Sequence, residues 1–489
     1  MQPSSKDASL SGLNCPKSIL SLASTHNSRM RMIRNQWTVL LSLFLLVFSS
    51  CTKTQKNSPR NSSTLRVNII REPSTMDPRK GSEFVGAALH GMLFEGLTRL
   101  NSDYSVFPAQ AKTIEISDDR KTYTFHLRRT KWSDGSFVTA TDFEKAWKKI
   151  LTPDFPAANA PLFYPIKNAE EAKQGLVPID DVGVYAIDDA TLIVELKNPT
   201  PYFLKLIAFC VFSPVKHTLD KLDPEWMNSA GENYLTNGPF KLKSWKHDNE
   251  IVVEKNPFYW ESSMISLENI QISMVKDENT VLEMYENDEL DFIGDALSPI
   301  PSDALTKYHE KGLLKSFPSA ATTAVTFNVT GFPFSNKSIR KAFAYAIDRQ
   351  EIVNNITQLG EEAATQIIPT CLKLKPAFSY FKDGKSKKAK RYFAQGLREL
   401  GITEEEFPIL TYCYSFSELN HKLAQALQQQ WETNLGVKIQ LERSDHKIFL
   451  DKLVNRDYSL AQMFWFAQYH DPMSVLERFK YKINPKNYC

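Results

Sequence analysis

Nine histidines, six cysteines and 56 acidic side chains are the groups in this 489-residue chain that could do chemistry. Their spacing argues against most of it. His309-Glu310 has no second histidine one helical turn away, so the zinc-binding helix of a metalloprotease is missing. Asp445-His446 and His470-Asp471 each join an acid to a base. Neighbours on a strand point to opposite faces, however, and no nucleophile is implied beside either pair. Both pairs read as surface or pocket polar groups. No phosphate-cradling glycine loop, nucleophile elbow or dinucleotide fingerprint occurs, and no two histidines stand four residues apart. The expectation is a protein that binds, with no covalent catalysis, no cofactor and no metal.

Cysteine usage adds little. There is no Cys-x-x-Cys pair, Cys210 sits in the apolar run 206–212 as a core thiol, and a Cys371–Cys413 bridge stays open. Net charge is only +3, and the densest basic run, 382–391, lacks interleaved aromatics. It reads as the solvated first turns of an amphipathic helix, and nucleic acid is not expected as a partner.

The elements that must position a site are clearest in Lys121–Trp147. Tyr123, Phe125 and Leu127 alternate with polar residues as in a half-buried strand. Ser133-Asp134-Gly135 turns the chain, and a helix follows with Thr141 and Glu144 as its capping box and Phe143, Trp147 and Ile150 on one face. Ser338 is expected to cap a helix carrying Ile339, Phe343 and Ile347, and a helix at 281–291 to lead into a strand at Phe292-Ile293. Strand–helix alternation in two blocks argues for two α/β lobes.

The Trp-Ser-Asp-Gly turn with its Thr-Ala-x-Asp-Phe helix start resembles the extracytoplasmic solute-binding proteins of the oligopeptide/dipeptide class. So do the Asp77-Pro78 turn, Phe94-Glu95-Gly96-Leu97 and Lys255-Asn256-Pro257-Phe258-Tyr259-Trp260. The resemblance implies a two-lobed, periplasmic-binding-protein-like α/β fold of the class II type, with an extra sub-domain in the first lobe and a hinge. Residues 64–107 and 216–323 would form the first lobe, 108–215 the sub-domain and 324–489 the second lobe. It also implies capture of short peptides between the lobes, a monomer, and delivery to the permease of an ABC importer in the cytoplasmic membrane.

Members of the family place a Trp-x-Ala-Asp-Tyr segment at the cleft, where the acid pairs with the peptide's α-ammonium. Here the segment is Trp465-Phe466-Ala467-Gln468-Tyr469, so a neutral amide replaces the charge. His446 stands where such peptide binders carry an aromatic residue. Ser82, Glu83 and Phe84 map to the first-lobe wall, with Glu83 a replacement anion. These departures leave open another solute, such as nickel, haem or a murein peptide.

At the N-terminus, Arg31 and Arg34 precede an apolar run at 37–48 that is shorter than the ~20 residues of a membrane span. It reads as a lipoprotein signal ending at Phe48-Ser49-Ser50-Cys51, with Cys51 lipidated, residues 52–63 a polar tether and residues 1–29 an upstream mis-called start. The protein would then be an extracytoplasmic, membrane-anchored lipoprotein. The sequence ends at Cys489, soon after Asp471-Pro472-Met473-Ser474-Val475-Leu476, where family members continue. The expectation is a shortened second lobe, with a truncated, non-transporting surface lipoprotein as the alternative.

Overall fold

A computed structural model describes residues 63–81, 83–294, 297–358, 360–372 and 382–480. The first sheet has the order β1-β10-β9-β8, built from β1 (Thr64–Asn68), β8 (Phe240–Lys246), β9 (Glu250–Lys255) and β10 (Asn269–Ser273). β1 runs parallel to β10, and the other pairs are antiparallel. Register brings Ile251 opposite Ile272 and Val253 opposite Ile270, so the buried face is a ladder of β-branched pairs. A short hairpin joins β2 (Thr98–Leu100) to β3 (Val106–Pro108).

The second four-stranded sheet, β4-β5-β7-β6, contains β4 (Ala111–Ile116), β5 (Thr122–Leu127), β6 (Val184–Asp188) and β7 (Thr191–Glu195). Tyr123, Phe125 and Leu127 are its buried face, as the alternation predicts. Helix Ala140–Ile150 packs on β6 and β7 through Phe143, Trp147 and Ile150.

The cap of this helix differs from expectation. Its N-cap is Thr139, with Asp142 closing the capping box in place of the Thr141–Glu144 pair. The physical reason is tertiary. The buried Asp142 carboxylate accepts Thr139 N at 2.9 Å, Trp132 Nε1 at 3.2 Å and His217 N at 3.0 Å. Glu144 instead pairs with Lys148 at 2.7 Å. The Trp-Ser-Asp-Gly turn, with Gly135 at φ 87°, thus delivers the indole that helps fix the helix start.

A third sheet, β11-β14-β12-β13, holds β11 (Ala321–Phe327), β12 (Leu410–Ser415), β13 (Ile439–Ser444) and β14 (Leu460–Phe466). Helices Lys337–Ala346, Ser386–Leu400 and Glu418–Leu435 contribute to its core. Ala389, Phe393 and Leu397 form the buried stripe of the second helix, which turns much of the 382–391 basic run to solvent. Gly396 lets this helix meet Ile339, where an added Cβ would stand 2.5 Å from Cδ1.

Two further expectations are corrected. Asn336 caps helix Lys337–Ala346, accepting Ser338 N at 2.8 Å and Ile339 N at 3.0 Å, so Ser338 lies inside it. Phe292-Ile293 is not a strand. After helix Glu278–Glu286, Asp291 clips the chain to β1 by taking Arg66 side-chain nitrogens at 2.8 and 3.1 Å. Cys371 and Cys413 are free thiols in separate apolar clusters, so they are not bridged. Cys210 is half-buried, and burial pushes its thiol up to about 12.

Two large cores result. One gathers residues from Ile69 to Met274, and the other runs from Phe334 to Leu460. The molecule is therefore two-lobed. The chain after β14 crosses the division: Tyr469 belongs to the first lobe's core, and Met473 packs against it.

Candidate functional site in the interlobe cleft

Strand alternation at the end of β14 turns Phe464 and Phe466 one way and Trp465 the other. Phe464 is 57% exposed, and the Phe466 ring meets Phe84 of the first lobe edge-on, with centroids 5.1 Å apart. Trp465 lies opposite Thr322 of β11, donates through Nε1 to Ser474 O at 3.2 Å and carries the Arg478 guanidinium 4.0 Å over its ring.

The next residues bind the first lobe. Gln468 N donates to Ser474 Oγ at 2.8 Å, and its Nε2 donates to Asn159 Oδ1 at 3.0 Å. Tyr469 stacks on Tyr202 and donates its hydroxyl to Glu477 Oε2 at 3.2 Å. His470 lies flat on Tyr104 with centroids 4.0 Å apart, and its carbonyl accepts from Lys205 Nζ. Asn159, Pro161 and Leu162 on one side, and Trp465, Gln468 and Glu477 on the other, frame a small, half-open pocket of about 20 Å³.

Electrostatics vary along the cleft. Burial pushes the Glu477 carboxyl up to about 7, against the opposing pull of its Tyr469 hydrogen bond and of Lys480. Burial and the Tyr469 hydroxyl's acidic neighbour raise the phenol's pKa as well. Elsewhere, Glu83 precedes helix Phe84–Leu93 without capping it. Its carboxylate accepts Ser74 N and lies 3.5 Å from Arg71 Nε. His446 opens helix His446–Asn455, with Nδ1 3.2 Å from Ser415 Oγ. Burial first, then the positive charge of Arg71, holds this imidazole below its ordinary value, while Glu83 and Asp445 pull it back. Arg71, Glu83 and His446 therefore share one field across the lobes.

The residues named from sequence thus fall into separate groups. Phe84, Trp465, Gln468 and Tyr469 lie along the strip where the lobes touch, whereas Glu83 and His446 are linked by charge. Ser82 and Cys51 lie outside the described residues. Sequence reasoning missed Asn159, Tyr202, Glu477 and Arg478. Only Ser474 stood in a quoted segment, because nothing local marks a residue whose partner comes from the other lobe. Among the described residues, no group of three His, Cys, Asp or Glu side chains could hold a metal ion, and no helix is long and apolar enough to cross a membrane.

The model of the bacterial extracellular solute-binding proteins, family 5, matches residues 105–487. The chain belongs to this family. It is 37% identical over 471 residues to the oligopeptide-binding protein OppA of Bacillus subtilis, covering 93% of this chain and 86% of that protein. It is 34% identical to the dipeptide-binding protein DppE of the same organism, over 92% of this chain and 85% of the relative. Among solved structures, the murein tripeptide-binding protein MppA of Escherichia coli aligns with a TM-score of 0.80 at 26% identity, over 87% of this chain and 83% of that one. OppA of Haemophilus influenzae in complex with the peptide RPPGFSPFR aligns with a TM-score of 0.78 at 26% identity, over 88% and 84%. The two cores and the cleft described above are therefore the two-lobed architecture of this family, whose members bind solutes.

Proposed function

We propose that this protein captures short peptides or peptide-like solutes outside the cytoplasmic membrane and hands them to the permease of an ABC importer. The observation that carries the reading is the strip Phe466–His470, which closes one lobe on the other beside a pocket lined by Trp465 and Gln468. The printed names of the relatives, oligopeptide- and dipeptide-binding proteins, support the same class of ligand.

In this reading Ser82, Glu83 and Phe84 form one wall and Trp465, Gln468 and His446 the other, with Tyr469 holding the strip in place. The ligand adds as an extended strand, and its side chains enter hydrated space. Gln468 cannot form the ion pair that a carboxylate makes with an α-ammonium, although its amide oxygen can still accept a hydrogen bond. N-blocked peptides should therefore bind as readily as free ones. That neutrality, together with the likeness to the murein tripeptide binder, supports cell-wall peptides as a second ligand class. Lipidation at Cys51 would tether the protein to the membrane. Division into a first lobe (64–107 and 216–323), a sub-domain (108–215) and a second lobe from 324, joined by a hinge, completes the proposal.

Native mass spectrometry of the detergent-solubilised full chain with a peptide library tests it. Retained peptides of a few residues are expected. A folded protein that retains none would sink the reading.

A further inference from the structure

The hydrogen bond between Gln468 and Asn159 joins residues 309 apart in the chain, and its polarity is determined by a third group. Asn159 is 1% exposed. Its Nδ2 donates to Gly81 O at 2.6 Å, and its backbone carbonyl accepts Leu162 N at 3.0 Å. Gly81 itself packs closely on the fully buried His90, since a Cβ there would stand 2.7 Å from Cε1 of that ring. One N–H of the asparagine amide is thus held within the first lobe, which fixes which way the amide plane is turned. With that N–H on Gly81 O, Oδ1 is the atom turned toward the second lobe, and an acceptor there takes Nε2 of Gln468.

That choice orients the other end of Gln468. Its Oε1 accepts no hydrogen bond from the described residues, and the side chain lines the pocket. A carbonyl-type oxygen facing a pocket complements an N–H donor.

We propose that Asn159 is a positioning residue for ligand capture: on lobe closure it takes the Gln468 amide by its nitrogen and turns Oε1 into the pocket as a neutral acceptor for a ligand N–H. The acceptor role rests on the peptide-capture reading; the latch between the lobes does not.

The latch is tested on the full chain without ligand. Non-cysteine spin labels at the exposed Lys145 and Thr433 report the lobe separation. Gln468→Ala and Asn159→Ala should each lower the ratio of closed to open molecules by roughly 3- to 10-fold, the effect of one hydrogen bond. The double variant should go no further, because both remove the same contact. Losses that multiply, or no loss, would overturn the latch. If Asn159→Ala does not fold, Gln468→Glu decides: a carboxylate facing Oδ1 should open the lobes more than Gln468→Ala, and an unchanged distance refutes the latch. The acceptor role is read with N-acetyl-tetra-alanine amide, a probe with N–H donors and no charge. Gln468→Ala and Asn159→Ala should speed its dissociation by the same factor and leave association unchanged. A wild-type chain that retains library peptides but not this probe would overturn the acceptor role alone; one that retains neither would overturn peptide capture with it, leaving the latch to the distance measurement.

Discussion

Tyr469 lies almost parallel to Tyr202, with ring centroids 5.5 Å apart and an interplanar angle of 11°, so a residue delivered by the second lobe completes the core of the first. The phenol is 2% exposed, and its hydroxyl reaches Glu477. Removing that ring should empty a closed space. Tyr469→Ala is expected to lower stability by about 3–5 kcal/mol, the range for a buried aromatic cut back to alanine. Tyr469→Phe keeps the stack and loses one hydrogen bond, about 1 kcal/mol. Urea unfolding followed by tryptophan fluorescence separates the two; equal losses would mean that the ring packing contributes little.

Glu477 should make stability fall with rising pH. Its carboxyl is raised from 4.5 to about 7, chiefly by burial, so the folded state favours the protonated form. The contribution is complete below pH 4.5 and is lost as pH rises through 7, on the order of 3 kcal/mol in total. Glu477→Gln should be flatter than wild type between pH 4.5 and 8. Parallel curves for the two proteins would contradict this.

His90 has the opposite sign. The side chain is fully buried, and burial lowers the imidazole from 6.5 to about 4 despite the nearby backbone of Met76 and Thr75. Asp77 and Glu83 are the acidic groups that pull it back. The neutral ring is the folded form, so this contribution is complete above pH 6.5 and is lost as pH falls through 4, again on the order of 3 kcal/mol. His90→Leu should therefore resist acid better than wild type, measured as the urea midpoint at pH 4.5 relative to pH 7. An unchanged ratio of midpoints would show that acid acts elsewhere.

Asp142 should be among the most sensitive positions of the scaffold. Replacing it with alanine leaves Trp132 Nε1, Thr139 N and His217 N without their acceptor in a buried site. A loss of about 3–5 kcal/mol is expected. Glu144→Ala, on the same helix, takes the acceptor from Lys148, which is buried, and from Ala186 N, and should cost about 2 kcal/mol, less than the Asp142 change. Thermal unfolding of both variants gives the comparison, and a larger loss from Glu144→Ala would restore the other capping register.

Local periodicity carried much of this protein into view from sequence alone. Tyr123, Phe125 and Leu127 announced one buried face of β5, and Phe143, Trp147 and Ile150 one face of a helix, because both patterns depend only on the repeat of the element itself. Family motifs of the same local kind brought the two-lobed class with them. Where two readings were locally equivalent, the sequence could not choose. Thr139–Asp142 and Thr141–Glu144 both satisfy a capping box, and Trp132 and His217, arriving from outside the helix, selected the first. The cleft depended on such distant partners throughout. Gln468 read as a lost charge, and only the fold shows Asn159 beside it and Tyr469 stacked on Tyr202. Hydrogen bonds and ring stacks act only over a few ångströms, so which residues share them is decided by the folded chain and not by its order.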